Sequence, residues 1–197
     1  MNLPNKITLF RVFLIPIIMV IAEINALQQD TFFLGMTLGN FIMLIIFLIG
    51  TFSDFLDGYI ARKQYIVTDF GKFADPLADK ILVLALMVIL LEQKTLLPGY
   101  AVTIILAREF IVTGFRILAA SKNVVIAAGW LGKIKTNLQF FMVILILING
   151  PAKPTLGVFE YIILVVVYAT VLMTIISGAE YIIKNIHVFK SEEKGVK

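Results

Sequence analysis

Asp54, Asp57, Asp75 and Asp79 are the residues whose type and spacing could do chemistry. The first two stand three apart and the second two four apart, each pair at the edge of a strongly apolar segment. At about 100° per residue, both spacings bring side chains to one face of a helix. Each pair can therefore converge, and two such helices side by side would gather four carboxylates around one site. Bare charges there would repel one another. Hard divalent cations, which take oxygen ligands, suit such a site well. The bland reading, acids scattered over two solvated helix ends, runs against the cost of ionised groups near a bilayer.

With oxygen as the only ligand atom, the expected ions are Mg²⁺ or Mn²⁺. Two of them a few ångströms apart can clamp a pyrophosphate, neutralise its charge and stabilise both attacking and leaving oxygens. Phosphoryl transfer asks mostly for that positioning and neutralisation. A carboxylate not fully engaged with metal could draw the proton from an attacking hydroxyl. Other chemistries are poorly supplied. There is no cysteine, hence no thiolate or disulfide chemistry. The single histidine, His187, lies near the C-terminal tail and reads as incidental.

The elements that must position these residues are apolar helices. The chain has 197 residues, 60% hydrophobic and only 15% charged, which no ordinary soluble domain matches. A helix needs about 20 apolar residues to cross a bilayer. Residues 31–50 supply such a run without one charge, and 161–179 supply another. The expectation is an all-α integral membrane protein: six transmembrane helices, a short N-terminal interfacial helix, and one membrane domain over 1–197. The spans are placed at about 7–27, 31–53, 76–91, 100–120, 131–149 and 155–183, each bound flagged by patterning and breakers. Asp75-Pro76 reads as a helix start, because proline is tolerated in a first turn. Lys63–Phe70 reads as a polar connection and Pro98-Gly99 as a turn. Lys6, Arg11 and the run Val12–Ala22 look like a signal peptide, but no small-residue cleavage site follows.

Charge sets the orientation. If both termini face one side, that side holds every Lys and Arg of the 17 except Lys94 and Lys153. The positive-inside rule then puts the termini and the acidic pairs in the cytoplasm, with an even number of spans. The net charge of +4 is a membrane-surface signal; no base-reading groups point to nucleic acid. The short chain without a transit peptide points to a bacterial inner (plasma) membrane.

Written out, the acidic stretch is D-x-x-D-G-x-x-A-R-x8-G-x-x-x-D-x-x-x-D, carried by Asp54, Asp57, Gly58, Ala61, Arg62, Gly71, Asp75 and Asp79. This resembles the signature of the CDP-alcohol phosphotransferases, membrane enzymes of phospholipid synthesis. The resemblance implies two metal ions held by Asp54, Asp57, Asp75 and Asp79, with Asp79 also the general base. It implies donor contacts from Gly58 and Gly71, where the backbone is open to close approach, from Arg62, whose fork matches phosphate oxygens, and from Thr68. Small-residue helix packing at Gly58 and Ala61 is compatible with these roles. The segment Pro4–Arg11 is similar to the N-terminal start of the family branch that uses glycerol 3-phosphate, which assigns Asn5 and Thr8 to the CDP-diacylglycerol pocket. A helix cap at Asn5 and a membrane anchor at Arg11 are the plainer readings of the same residues.

A second constellation bears on the acceptor. Arg108, Arg116, Lys133 and Lys135 lie on the cytoplasmic halves of the fourth and fifth spans. Arg108 sits inside an apolar helix, where a charge needs a function or a partner. Glu109, adjacent to it, is expected to point elsewhere and to pair across helices. Such cations suit an acceptor that carries a phosphate, and glycerol 3-phosphate is one; the plainer reading is positive-inside bias or binding of anionic headgroups. The implied reaction joins CDP-diacylglycerol to glycerol 3-phosphate with release of CMP, in a homodimer like those of relatives. Inositol phosphate or phosphatidylglycerol as acceptor are the alternatives within the family. A cation transporter is the remote one: it would place ionisable groups near the midplane of two repeated halves, and no repeat is visible.

Overall fold

A computed structural model describes residues 3–29, 31–33, 36–64, 69–121, 124, 126, 129–151 and 157–186; side chains at 3–8, 31–33, 54–64, 69–79 and 121 lie outside the description. Among these residues the chain forms seven helices: α1 (Leu3–Glu23), α2 (Asn25–Gln28), α3 (Leu38–Gln64), α4 (Asp69–Glu92), α5 (Gly99–Ser121), α6 (Trp130–Asn149) and α7 (Val158–Asn185). A two-stranded antiparallel ribbon, β1 (Thr31–Phe33) with β2 (Met36–Thr37), precedes α3. The chain divides into two compact units, Met1–Leu97 with Val143–Tyr161, and Pro98–Met142 with Ile162–Lys197.

In the first unit α1 packs on both α3 and α4, and α3 packs on α4. Only residues 65–68 connect α3 to α4, so the two helices run antiparallel. They meet at Gly50. A β-carbon there would stand 2.4 Å from Leu82 Cδ2 and 3.6 Å from Leu14 Cδ1, so three helices meet where this side chain is missing. Leu14 and Leu82 are both buried.

The start of α3 is fixed by side chains. Thr37 Oγ1 accepts from Asn40 N–H (3.1 Å) as an N-cap and donates to Gln28 Oε1 (2.9 Å). Gly39 leaves room for the Gln28 amide, whose Nε2 would be 2.1 Å from a β-carbon at that position. Asn40 Nδ2 donates to Leu147 O (3.4 Å), tying α3 to the end of α6. Helix α4 ends in a Schellman turn with Lys94 in the left-handed region (φ 52°): Thr95 N–H reaches Leu90 O and Lys94 N–H reaches Leu91 O. Gly150 (φ 71°) ends α6. Glu160 reaches back to Gly157 N–H (3.0 Å) at the start of α7, as in a capping box.

In the second unit the buried residues of α5 recur at Val102, Ile105, Glu109, Val112 and Ala119, at helical spacing. Helix α7 is more clearly two-faced. Ile163, Val167, Thr170, Thr174, Ser177 and Tyr181 are buried, while Ile162, Val165, Tyr168, Leu172, Ile176 and Ile183 are exposed. The buried Thr170 and Thr174 hydroxyls bond to the carbonyls of Val166 and Thr170, so neither hydroxyl is stranded. An apolar outer face along a whole helix suits hydrocarbon. Helices α6 and α7 are each long and apolar enough to span a bilayer.

Several expected bounds need correcting. The first helix is one uninterrupted element from Leu3, and the short helix follows it at Asn25–Gln28, where it had been expected to come first. The second long helix begins at Leu38, because residues 31–33 and 36–37 pair as strands under the Thr37 cap. That helix continues to Gln64, and α4 begins at Asp69, so only 65–68 remain of the expected connection. Asp75-Pro76 is therefore not a helix start. Proline's missing N–H removes one bond from the interior of α4, and the helix continues past it. The last four long helices, α4 to α7, end within about three residues of the expected bounds, the usual uncertainty of helix ends. Thr68, His187 and the tail lysines Lys190, Lys194 and Lys197 lie outside the described residues.

Gly50→Val should cost about 1–3 kcal/mol of stability, because the branched side chain enters space already filled by Leu82. Thermal unfolding of the detergent-solubilised protein measures it; an unchanged midpoint would mean α3 and α4 do not meet there.

Candidate functional site

Asp54 and Asp57 lie in the C-terminal half of α3, and Asp75 and Asp79 in the N-terminal half of α4. The helices are antiparallel, and Gly50 and Leu82 mark their close contact. Asp54 is one turn beyond Gly50 and Asp79 just under one turn beyond Leu82, in the same direction away from that contact. The close approach at a glycine thus brings both acidic pairs to the same end of one helix hairpin. Gly58 and Arg62 follow on α3, and Gly71 stands on α4. Asn5 and Thr8 lie on α1, the helix that packs on both.

The cationic cluster can be described atom by atom, within the second unit. Lys135 on α6 is 1% exposed. Its ammonium donates to Glu109 Oε1 on α5 and to Gln139 Oε1, one turn along its own helix. Arg108 Nη1 donates to the same Glu109 Oε1 at 3.1 Å. One carboxylate oxygen therefore serves two cations from two helices. Glu109 pairs across helices as expected, but it also bonds its neighbour Arg108, because a long guanidinium stem can curl back to an adjacent carboxylate. Glu109 is 7% and Gln139 5% exposed. Among the described residues, the Glu109 carboxylate thus faces two cations. Arg108 Nε is buried without a hydrogen-bond partner among the described residues.

The other two expected acceptor residues stand elsewhere. Arg116, two turns along α5, has its Cζ 5.8 Å from the Tyr181 ring centroid. Phe115 meets the same ring edge-on (6.4 Å, 79°). Arg116 Nε and Tyr181 Oη are both buried without hydrogen-bond partners among the described residues. Lys133 is exposed, with its ammonium 5.8 Å from the centroid of the exposed Trp130 ring. That pairing of an amphipathic ring and a cation is typical of a membrane interface. Among the described residues no contact joins Arg116 or Lys133 to the Glu109 cluster.

Glu109, Gln139 and Tyr181 were not among the expected site residues. A signal was available for two of them. Glu109 interrupts the buried stripe of α5 between Ile105 and Val112, and Gln139 is four residues from Lys135. An ionised or amide group on a core-facing position requires a partner. Tyr181 carries no such mark, because tyrosine is common on apolar helices.

Glu109→Ala should cost about 3–5 kcal/mol, since it takes from the buried Lys135 and the largely buried Arg108 the carboxylate they share. Removing one cation as well, in Glu109→Gln with Lys135→Met, should recover part of that loss. Thermal unfolding of the three proteins in detergent checks the pair; equal losses in single and double variants would contradict the shared-carboxylate geometry.

Comparison with known proteins adds a separate line of information. A family model described as CDP-alcohol phosphatidyltransferase matches residues 1–176. A Bacillus subtilis protein named CDP-diacylglycerol–glycerol-3-phosphate 3-phosphatidyltransferase is 43% identical over 193 residues, covering 96% of this chain and 98% of its own. Proteins of the same name from Rickettsia bellii and Haemophilus influenzae are 35% identical over 180 residues and 33% over 184. These alignments cover 91% and 92% of this chain, and 93% and 91% of theirs.

Proposed function

The chain belongs to the CDP-alcohol phosphatidyltransferase family, and from that premise we propose that it transfers the phosphatidyl group of CDP-diacylglycerol to glycerol 3-phosphate, yielding phosphatidylglycerophosphate and CMP. The observation that carries this reading is the end-to-end similarity to proteins named for that reaction. The guanidinium and ammonium gathered at Glu109 support an acceptor that brings its own phosphate.

The donor end of the reaction rests on Asp54, Asp57, Asp75 and Asp79. Their donor set is all carboxylate, which fits Mg²⁺ or Mn²⁺. The Gly50 contact, which sets both pairs at one end of the α3–α4 hairpin, favours a shared site. Two bound ions would neutralise the pyrophosphate charge. Gly58 and Gly71 admit the nucleotide to the backbone, Arg62 holds a phosphate, and Asn5, Thr8 and Thr68 complete the donor pocket. Asp79 takes the proton from the terminal hydroxyl of glycerol 3-phosphate. That oxygen forms a bond to the phosphorus carrying diacylglycerol, the pyrophosphate P–O bond breaks, and CMP leaves with the electron pair. Arg108 holds the acceptor phosphate, with Arg116, Lys133 and Lys135 adding positive charge along α5 and α6.

The wider setting follows the same reasoning. Six spans, with both termini and the acidic pairs on the cytoplasmic side of a bacterial inner membrane, account for the strongly one-sided lysines and arginines. The whole of 1–197 acts as one membrane domain, and a two-fold homodimer is the common assembly for such a chain.

Asp79→Asn should lower turnover by about 10²–10⁴-fold or more while leaving most donor binding intact; near-normal CMP release would remove the base assignment. Chelation of divalent ions should stop turnover, with recovery on adding Mg²⁺ or Mn²⁺. An acceptor panel with labelled CDP-diacylglycerol tests the substrate. CMP release with glycerol 3-phosphate alone supports the reading; release with inositol phosphate or phosphatidylglycerol instead replaces it. Metal-dependent ion flux across proteoliposomes without CMP would move the protein out of enzymology altogether.

A further inference from the structure

A guanidinium binds an oxyanion best through two parallel N–H bonds along one edge. In Arg108 one terminal nitrogen, Nη1, is already committed to Glu109 Oε1. The edge that remains is Nε–Nη2. Nε is buried, and among the described residues neither Nε nor Nη2 donates a hydrogen bond. Two glycines border this arginine. A β-carbon at Gly178 on α7 would stand 3.1 Å from Arg108 Cγ, so the α7 backbone lies close against the stem. A β-carbon at Gly132 on α6 would stand 3.6 Å from Nη2, so the missing side chain leaves space beside the free edge.

We infer that Glu109 is a positioning residue that holds Arg108 by Nη1, so that its Nε–Nη2 edge, bordered by Gly132, takes the phosphate of a phosphomonoester. Glu109 is itself fixed from behind by Lys135, which Gln139 holds in turn. Lys135, 1% exposed and engaged twice over, thus acts through Glu109 and does not touch the ligand. This assignment rests on the acceptor reading above and changes one part of it: of the cations, Arg108 carries the contact and Lys135 the support. A guanidinium edge offered in this way selects an anion over an uncharged alcohol. Two sources present that chemistry, a water-borne phosphomonoester and the headgroup of an anionic lipid.

The test uses the full chain in nonionic detergent with CDP-diacylglycerol as the only added anionic lipid, following CMP release against glycerol 3-phosphate concentration. Gly132→Ala makes only an ordinary van der Waals contact, so it should fold; it is expected to raise KM for glycerol 3-phosphate about tenfold, with kcat less affected and donor KM within about twofold. The charge-matched Glu109→Gln with Lys135→Met should show the same split, and Glu109→Asp, which keeps a carboxylate, should recover part of it. If the double variant does not fold, Gly132→Ala decides alone. An unchanged acceptor KM in these variants, alongside a raised KM in Arg108→Ala, overturns the positioning role and leaves the acceptor reading intact. An unchanged KM in Arg108→Ala removes both. Loss of co-purifying anionic lipid from Gly132→Ala, with acceptor KM unchanged, assigns the phosphate to a lipid headgroup and also overturns the inference.

Discussion

Charge held away from water must be answered by charge, and the Glu109 oxygen shared between Arg108 and Lys135 is where this chain meets that demand. A buried ion pair adds little net stability compared with well-packed apolar residues. Its presence therefore calls for another explanation. A carboxylate oxygen shared by two cations from two helices makes a fixed electrostatic feature on largely apolar helices. The side chains around it are arranged to keep it rigid: Gln139 fixes the lysine, and the Gly178 backbone lies against the arginine stem.

The acidic half depends on a different constraint, the packing of leucine side chains onto a bare stretch of backbone. Gly50 leaves the space on α3 into which the Leu82 side chain of α4 and the Leu14 side chain of α1 reach. Leu14 and Leu82 fill the space around it and set the level of the hairpin. The helix ends are then closed with local bonds: the Thr37 cap, the Lys94 Schellman turn, and Glu160 reaching back to Gly157. Such bonds satisfy the backbone groups that a helix terminus leaves open, which hydrocarbon cannot do.

Much of this was legible beforehand. Apolar periodicity located α5 to α7 and the end of α4 to within a few residues, because long apolar runs bounded by Pro98-Gly99 or Gly150-Pro151 permit few alternatives. The aspartate spacing pointed to two helices, and two adjacent helices carry it. What went unread depends on partners distant in the chain. The ribbon at 31–33 and 36–37 is apolar and looks like more helix until the Thr37 cap and its Gln28 partner are seen together. Asp75-Pro76 carries a local start signal, yet α4 had already begun at Asp69. Glu109 was expected to avoid Arg108 on grounds of adjacency, and the reach of the guanidinium defeated that argument. Lys133 and Lys135 differ by two positions and look alike in sequence, but one lies at an exposed tryptophan and the other is buried.

The outward face of α7, with Val165, Tyr168, Leu172 and Ile176, has a consequence of its own. A surface built for hydrocarbon confines the protein to two dimensions. Any lipid reactant then meets it at a rate governed by molecules per unit area of bilayer, whereas a dissolved reactant arrives according to its bulk molarity. Diluting the membrane with inert lipid would slow the first encounter and leave the second untouched, so the two saturation curves are measured on different axes.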